Sequence, residues 1–480
     1  MNVRGLAGVA AVAAVAVGLP SAVAGTRPSA DPGRESDSPA GAALWAKRYN
    51  GPGNRDDRTY SSAASPDGSR LFVAGTSVGS GSNDDYATVA YDAASGARLW
   101  ASRYSGPGDW YDWVSAVAVS PDGSRVFVTG GSVGSGSDFD YATVAYDAAN
   151  GARLWLRRYN GPGNDSDRAM ALTVSPDGSR LLVTGSSVGA SGDYDFATIA
   201  YDAGSGAQLW LRRYDDPHNR DDLASALGLS PDGSRLFVTG QDALFGDYDY
   251  ATVAYDAASG ARLWVSSYDG PDHSGDWADA LEVSPDGSRL FVTGQSAGVG
   301  GDDDYATVAY DAASGARLWA SRYDGPDGTE DWPHALGASP DGSRLFVTGE
   351  SRASASGDDY ATVAYDAVSG ARLWANRYNG PVNGQDYARA LGVSPDGSRL
   401  FVTGGSWGVD GYPDVDYVTL AYDPATGARV WLRRYDGPID GWDEAHALCV
   451  SPDGSRLFVT GGSWGTSGYF DYATVAYSTG

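Results

Sequence analysis

The 480-residue chain carries 61 acidic and 34 basic side chains, a formal net charge of −27, and a single cysteine. Such a charge excludes the basic surface that nucleic acid or an anionic membrane face would require. One cysteine excludes an internal disulfide framework.

In chain order, residues 1–24 read as a secretory signal peptide. Arg4 supplies the positive charge, 6–19 form an apolar run too short for a stable span, and Ala22-Val23-Ala24 offers small residues for cleavage before Gly25. No cysteine follows the cleavage site, so no lipid anchor is expected there. Residues 25–42, rich in Pro, Ser, Gly and Asp, read as a disordered leader. No later stretch is long and apolar enough to insert in a membrane.

From residue 43 to 480 one unit repeats. Trp45, Trp100, Trp155, Trp210, Trp264, Trp319, Trp374 and Trp431 are spaced by 54 to 57 residues. A period of that size means one supersecondary unit copied around a ring or along a stack. In the copy with Trp319, four β runs are expected: strand a at 277–284, b at 289–294, c at 305–311 and d at 316–323. Ser284-Pro285-Asp286-Gly287 has the chemistry of a tight a–b turn, and Asp311 to Gly315 that of a c–d turn. The strands are apolar on both faces, so each sheet must be covered on both sides by neighbours. The chain opens on a lone strand d, residues 43–49, and its last copy stops after strand c. The first strand therefore completes the last sheet, and the expected fold is all-β: an eight-bladed β-propeller of four-stranded antiparallel blades. Cys449 aligns with Ala118 and Thr173 in an apolar strand and reads as a buried, inert thiol.

The segment Ala90-Tyr91-Asp92-Ala93-Ala94-Ser95-Gly96-Ala97-Arg98-Leu99-Trp100 resembles the tryptophan-docking motif of quinoprotein (PQQ) dehydrogenases. The resemblance implies an eight-bladed propeller in which the eight tryptophans above pack between blades while Asp and Ser bond within the turn. Across 43–480, the stretches Asp-Tyr-Ala-Thr-Val-Ala-Tyr-Asp, Leu-Trp-x-x-Arg-Tyr-x-Gly-Pro and Phe-Val-Thr-Gly are similar to the bacterial SBBP-type propeller repeat, whose members are largely extracellular. The run Ser-Pro-Asp-Gly-Ser-Arg-Leu-Phe-Val-Thr-Gly is also similar to the YVTN-type repeat.

A quinoprotein enzyme would need a quinone, calcium ligands, a catalytic Asp and often adjacent cysteines. Cys449 stands alone, and no singular Asp, Arg or Glu cluster breaks the repeat in the way a cofactor site would. Distinct converging residues are what catalysis requires. His273 and His334 read as solvated loop residues, and no metal-ligand spacing involves any of the four histidines.

Strand direction places the d–a and b–c loops on one face. Asp57, Asp112, Asp167, Asp222, Asp276, Asp331, Asp386 and Asp443 end the d–a loops. Asp85, Asp140, Asp195, Asp249, Asp304, Asp359, Asp416 and Asp471 end the b–c loops. Two readings stand: each carboxylate pins its loop through backbone N–H groups and a strand-d Arg such as Arg103 or Arg158, or the carboxylates ring the channel mouth and attract cations such as calcium. The seven remaining tryptophans, Trp110, Trp113, Trp277, Trp332, Trp407, Trp442 and Trp464, fall in or beside the same loops with Tyr111, Tyr412 and Tyr469. They either contact a ligand or, for Trp113, Trp277 and Trp332, pack beneath the loop.

The reading is a secreted, monomeric, non-catalytic propeller that needs no cofactor. Its loop-rich face takes an extracellular polymer, glycan or peptide, or a protein partner, with nucleic acid excluded. A PQQ-type oxidoreductase or degenerate relative, and a purely structural cell-envelope component, are the alternatives.

Overall fold

The computed structural model describes residues 39–79, 83–134, 136, 138–243, 247–298, 300–408 and 414–480. Thirty-two strands, numbered β1–β32 in chain order, form eight four-stranded antiparallel sheets. Blade 1 consists of β2 (Asp57–Ala64), β3 (Arg70–Val78), β4 (Asp84–Asp92) and β5 (Arg98–Tyr104), its strands a to d. Turn chemistry sets this meander. Gly68 closes the a–b turn at φ +69°, its N–H bonding Ser65 O at 2.8 Å, while the Ser65 hydroxyl donates to Asp67. At the c–d turn the Ser95 N–H and hydroxyl both donate to Asp92. The expected strands of the Trp319 copy are found as Asp276–Val283, Arg289–Ala297, Asp303–Asp311 and Arg317–Tyr323. Strands b and c run further than expected towards the loops, because the ladder continues through Ser296 opposite Asp304.

The ring closes as the chain ends imply. Blade 8 is β30 (Asp443–Val450), β31 (Arg456–Trp464) and β32 (Phe470–Ser478), completed by β1 (Ala43–Tyr49). Ala46 lies opposite Val475, and Tyr49 opposite Tyr472. The interrupted c–d turn is rebuilt from both termini. The Gly41 N–H bonds Ser478 O at 2.9 Å, and Arg433 donates to the carbonyls of Ala40 and Gly41. Residues 39–42, counted with the leader from sequence, thus form a turn seated on blades 7 and 8. The signal-peptide reading and the rest of the leader lie outside the described residues.

Packing between blades follows from the repeat. Strand c is almost wholly buried, and its tyrosine reaches into the next blade: Tyr86 donates to Ala142 O at 3.2 Å, and Tyr472 closes the circle on Ala87 O at 3.2 Å. The strand-d tryptophan does the same further out. Trp45, Trp100, Trp155 and Trp210 donate to Ala93, Ala148, Ala203 and Ala257, and Trp264, Trp319 and Trp374 to Ala312, Ala367 and Pro424, at 3.1–3.3 Å. Each indole lies against the positive-φ glycine of the following turn; Gly41, at φ +73°, receives Trp431. Burial pushes the Cys449 thiol up to about 12.

Strand a is innermost, and adjoining strands a pack against one another around the ring. Each carries a bulge that leaves one residue, three positions after the d–a aspartate, outside the ladder. Among the described residues no helix is long and apolar enough to cross a membrane.

Candidate binding site

The two aspartate sets have different settings. All eight d–a aspartates are fully buried. Each accepts the backbone N–H six residues earlier, at 2.5–2.8 Å. They hold the loop from beneath and present no carboxylate to a ligand at the surface. Burial pushes Asp57, Asp276, Asp331, Asp386 and Asp443 up to about 6. In the b–c set, Asp85, Asp140, Asp195, Asp304, Asp359, Asp416 and Asp471 pair with Arg103, Arg158, Arg213, Arg322, Arg377, Arg434 and Arg48. Each guanidinium also bonds the serine hydroxyl near the end of strand b, as Arg158 does with Ser132.

The loop tryptophans divide as well. Trp113, Trp277 and Trp332 are half-buried beside Phe139 (4.3 Å), Tyr248 (6.2 Å) and the Arg352 guanidinium (5.1 Å). Trp407 packs over Gly384 of the adjoining loop. Trp110 and Tyr111 are the exposed pair, 61% and 53% accessible, with Tyr469 at 40%. Tyr412 lies outside the described residues.

Trp442 and Trp464 line a cleft of about 530 Å³ between blades 8 and 1, at the inner end of the loop-rich face. Its apolar side is Trp464 set edge-on to Phe470 at 4.8 Å, with the Arg58 guanidinium 4.0 Å over the Phe470 ring. Its polar side is Glu444 and His446 of β30. Trp442 Nε1 donates to Glu444 Oε2 at 3.2 Å, and the His446 ring stacks on Tyr60 at 5.3 Å while its Nδ1 donates to Thr59 O at 2.8 Å.

Behind this wall lies a charged cluster that departs from the repeat and that the sequence reading, which looked for a cofactor site, did not pick out. Arg389, on β26 (Asp386–Val393), bonds Glu444 at 3.3 Å and Glu350 at 3.1 Å. His334, expected in a solvated loop, lies on β22 (Asp331–Ala338) and bonds Glu350 at 2.9 Å. Burial alone would raise Glu444, but His446 and Arg389 outweigh it and hold the carboxyl down to about 2. Three blades thus share one charge network behind the cleft. The missed signal is the bulged residue of strand a: Tyr60, Ser115, Met170, Ser225, Asp279, His334, Arg389 and His446. That position varies widely where its flanks are mostly alanine, and a bulge re-aims the side chain it carries. Glu350 and Glu444 are committed to these cations, and Cys449 has no neighbouring cysteine, so the wall does not fit a quinone-and-calcium site of the quinoprotein kind.

The family described as outer membrane protein assembly factor BamB matches residues 34–280 and 303–462. The chain belongs to this BamB-type, PQQ-like propeller family. No curated protein matches it significantly in sequence. Among solved structures, BamB from Moraxella catarrhalis is 16% identical with a TM-score of 0.51, covering 92% of this chain and 100% of its own. Chaetomium thermophilum Sqt1 bound to the N-terminus of ribosomal protein L10 is 13% identical with a TM-score of 0.59, covering 88% and 97%. Quinohemoprotein alcohol dehydrogenase from Comamonas testosteroni is 12% identical with a TM-score of 0.52, covering 92% and 76%. At these identities the likeness is one of fold. It spans a BamB, a peptide-bound protein and an oxidoreductase, so the BamB-type scaffold does not itself name an activity.

Proposed function

We propose that the protein is a secreted, non-catalytic binding propeller that takes an extended segment of a protein partner in the cleft between blades 8 and 1. The cleft carries the reading: aromatic faces of Trp442, Trp464 and Phe470 stand beside Arg58, Glu444 and His446 in one concavity. Apolar contact with a few fixed polar groups is how such sites bind and orient a chain. The family's description as an assembly factor and the Sqt1 complex with an N-terminal segment support a protein ligand. The signal-peptide reading of residues 1–24, the SBBP likeness and the tryptophan-docking likeness support an exported scaffold.

An array of peptides and glycans probed with the parent and with Trp442→Ala tests it. Peptide ligands should emerge, and the variant should weaken them by about tenfold or more. Glycan-only binding, or peptide binding indifferent to Trp442, contradicts the proposal.

A further inference from the structure

Seven blades neutralise the b–c aspartate with a strand-d arginine, and blade 4 does not. Blade 4 comprises β14 (Leu223–Leu229), β15 (Arg235–Asp242), β16 (Asp249–Asp256) and β17 (Arg262–Tyr268). Ser267 stands where the others have arginine, as in the register pairs Ala251 with Ser267 and Ala87 with Arg103. Asp242 replaces the strand-b serine that would bond the guanidinium. Asp216 replaces the glycine that opens the preceding loop. In the other seven blades a Cβ on that glycine would come within 2.2–2.7 Å of the serine hydroxyl, so the Gly and Ser exchanges belong together. Where a neighbouring blade sets two aspartates, a serine and an arginine, blade 4 sets Asp216, Asp222, Asp242 and Asp249 with no arginine or lysine ion pair among the described residues.

These carboxylates are not merely a surface cluster. Asp242 is 2% exposed, and its Oδ1 meets no hydrogen-bond donor where the other blades have an arginine-bonded serine; the Asp222 Oδ1 is unpaired too, as it is at Asp57, Asp276, Asp331 and Asp386 of arginine-bearing blades. Their other oxygens are engaged: Asp222 Oδ2 by the Asp216 N–H at 2.8 Å, Asp242 Oδ2 by the Tyr214 hydroxyl at 3.1 Å. The equivalent tyrosines, Tyr104 and Tyr159, accept from Arg158 and Arg213 instead, so Tyr214 has turned from acceptor to donor. Asp216 is held by the His218 ring at 2.9 Å. Asp249 faces Asp242 across the ladder and comes within 4.8 Å of carboxylate oxygens of Asp269 and Asp276. Buried carboxylates with oxygens left unpaired are costly unless a cation or a proton neutralises them.

We propose that blade 4 binds a hard divalent cation, calcium by its oxygen-only donors, in the place of the missing guanidinium, with Asp242 and Asp249, opposite each other on strands b and c, as its carboxylate ligands. A calcium ion accepts carboxylates in irregular, flexible geometry and completes its shell with water. Here it does the structural work of the arginine, tying strand b to strand c. This stands apart from the cleft, which lies across the ring, and does not depend on the partner proposal.

Thermal melts of the full chain in chelator and in calcium at about 0.1–10 mM, the range of weak extracellular sites, test it. The parent should gain several degrees on calcium addition. The variant Asp216→Gly/Asp242→Ser/Ser267→Arg, which rebuilds the pairing of the other blades, should melt high in chelator and ignore calcium. Terbium luminescence sensitised by Tyr214 gives a second readout, expected in the parent and lost in Asp242→Asn. No calcium response in the parent, as when the two acids share a proton instead, overturns the site. So does an equal response in the rebuilt variant, or terbium emission that survives Asp242→Asn.

Discussion

At the scale of the residue, stability rests on a few side chains used once per blade. Trp210 is 6% exposed, donates to Ala257 O at 3.2 Å and lies on Gly260 of the next blade. Its removal leaves a large cavity between two blades. Trp210→Ala should cost about 3–5 kcal/mol, read from the denaturant midpoint; a parent-like midpoint contradicts the packing role. Gly260, at φ +69°, already has the indole 2.7 Å from where a Cβ would stand. Gly260→Val should therefore destabilise through both strain and clash, and a melting temperature equal to the parent's would count against this. The periodic tryptophans and glycines were legible because each copy states them again. Glu444, Arg389, Glu350 and His334 were not, because they depart from the repeat in three different blades. Glu444 and Arg389 are 55 positions apart, and only the ring makes them neighbours.

At the scale of the element, the two edge strands of a blade have different duties. Strand d faces outward with an exposed leucine or valine before its tryptophan, and strand a faces the channel with a bulge. The turn sequences set the meander, and the lone first strand set the closure, so the blades could be read from the chain. The bulge could not. Only in blade 6 does it follow a proline, Pro333, and it arises where two innermost strands must curve past each other around the axis, a tertiary demand that local chemistry does not record. Closure itself depends on β1. Deleting residues 39–49 removes Trp45 and Gly41 and leaves β32 as an open edge. The shortened chain should lose its single cooperative melt and associate on size exclusion. A monomer with the parent's transition would show that β1 is dispensable.

At the scale of the molecule, the acid balance sets a pH optimum. The buried d–a aspartates Asp57, Asp276, Asp331, Asp386 and Asp443, raised to about 6, bind protons more tightly folded than unfolded. Their contribution is complete below the ordinary 3.8 and is lost as pH rises through about 6. The turn aspartates Asp67, Asp122, Asp177, Asp286 and Asp341 are held down to about 2 by serine hydroxyls and N–H groups, so theirs is present above 3.8 and lost on acidification towards 2. In calcium-free buffer the melting temperature should climb from about pH 7.5 to about pH 5, then fall below about pH 3.5. A maximum at or above neutrality would contradict the burial of the d–a carboxylates. Eight near-identical wedges supply the rigid ring, and singular residues of blades 8 and 1 line the cleft proposed to take a partner. Hydrogen exchange of the full chain with and without a peptide selected on the array tests that claim most directly. The account predicts new protection at residues 58–60, 440–446 and 462–470. Protection confined to the Ser-Pro-Asp-Gly hairpins on the opposite face would contradict it.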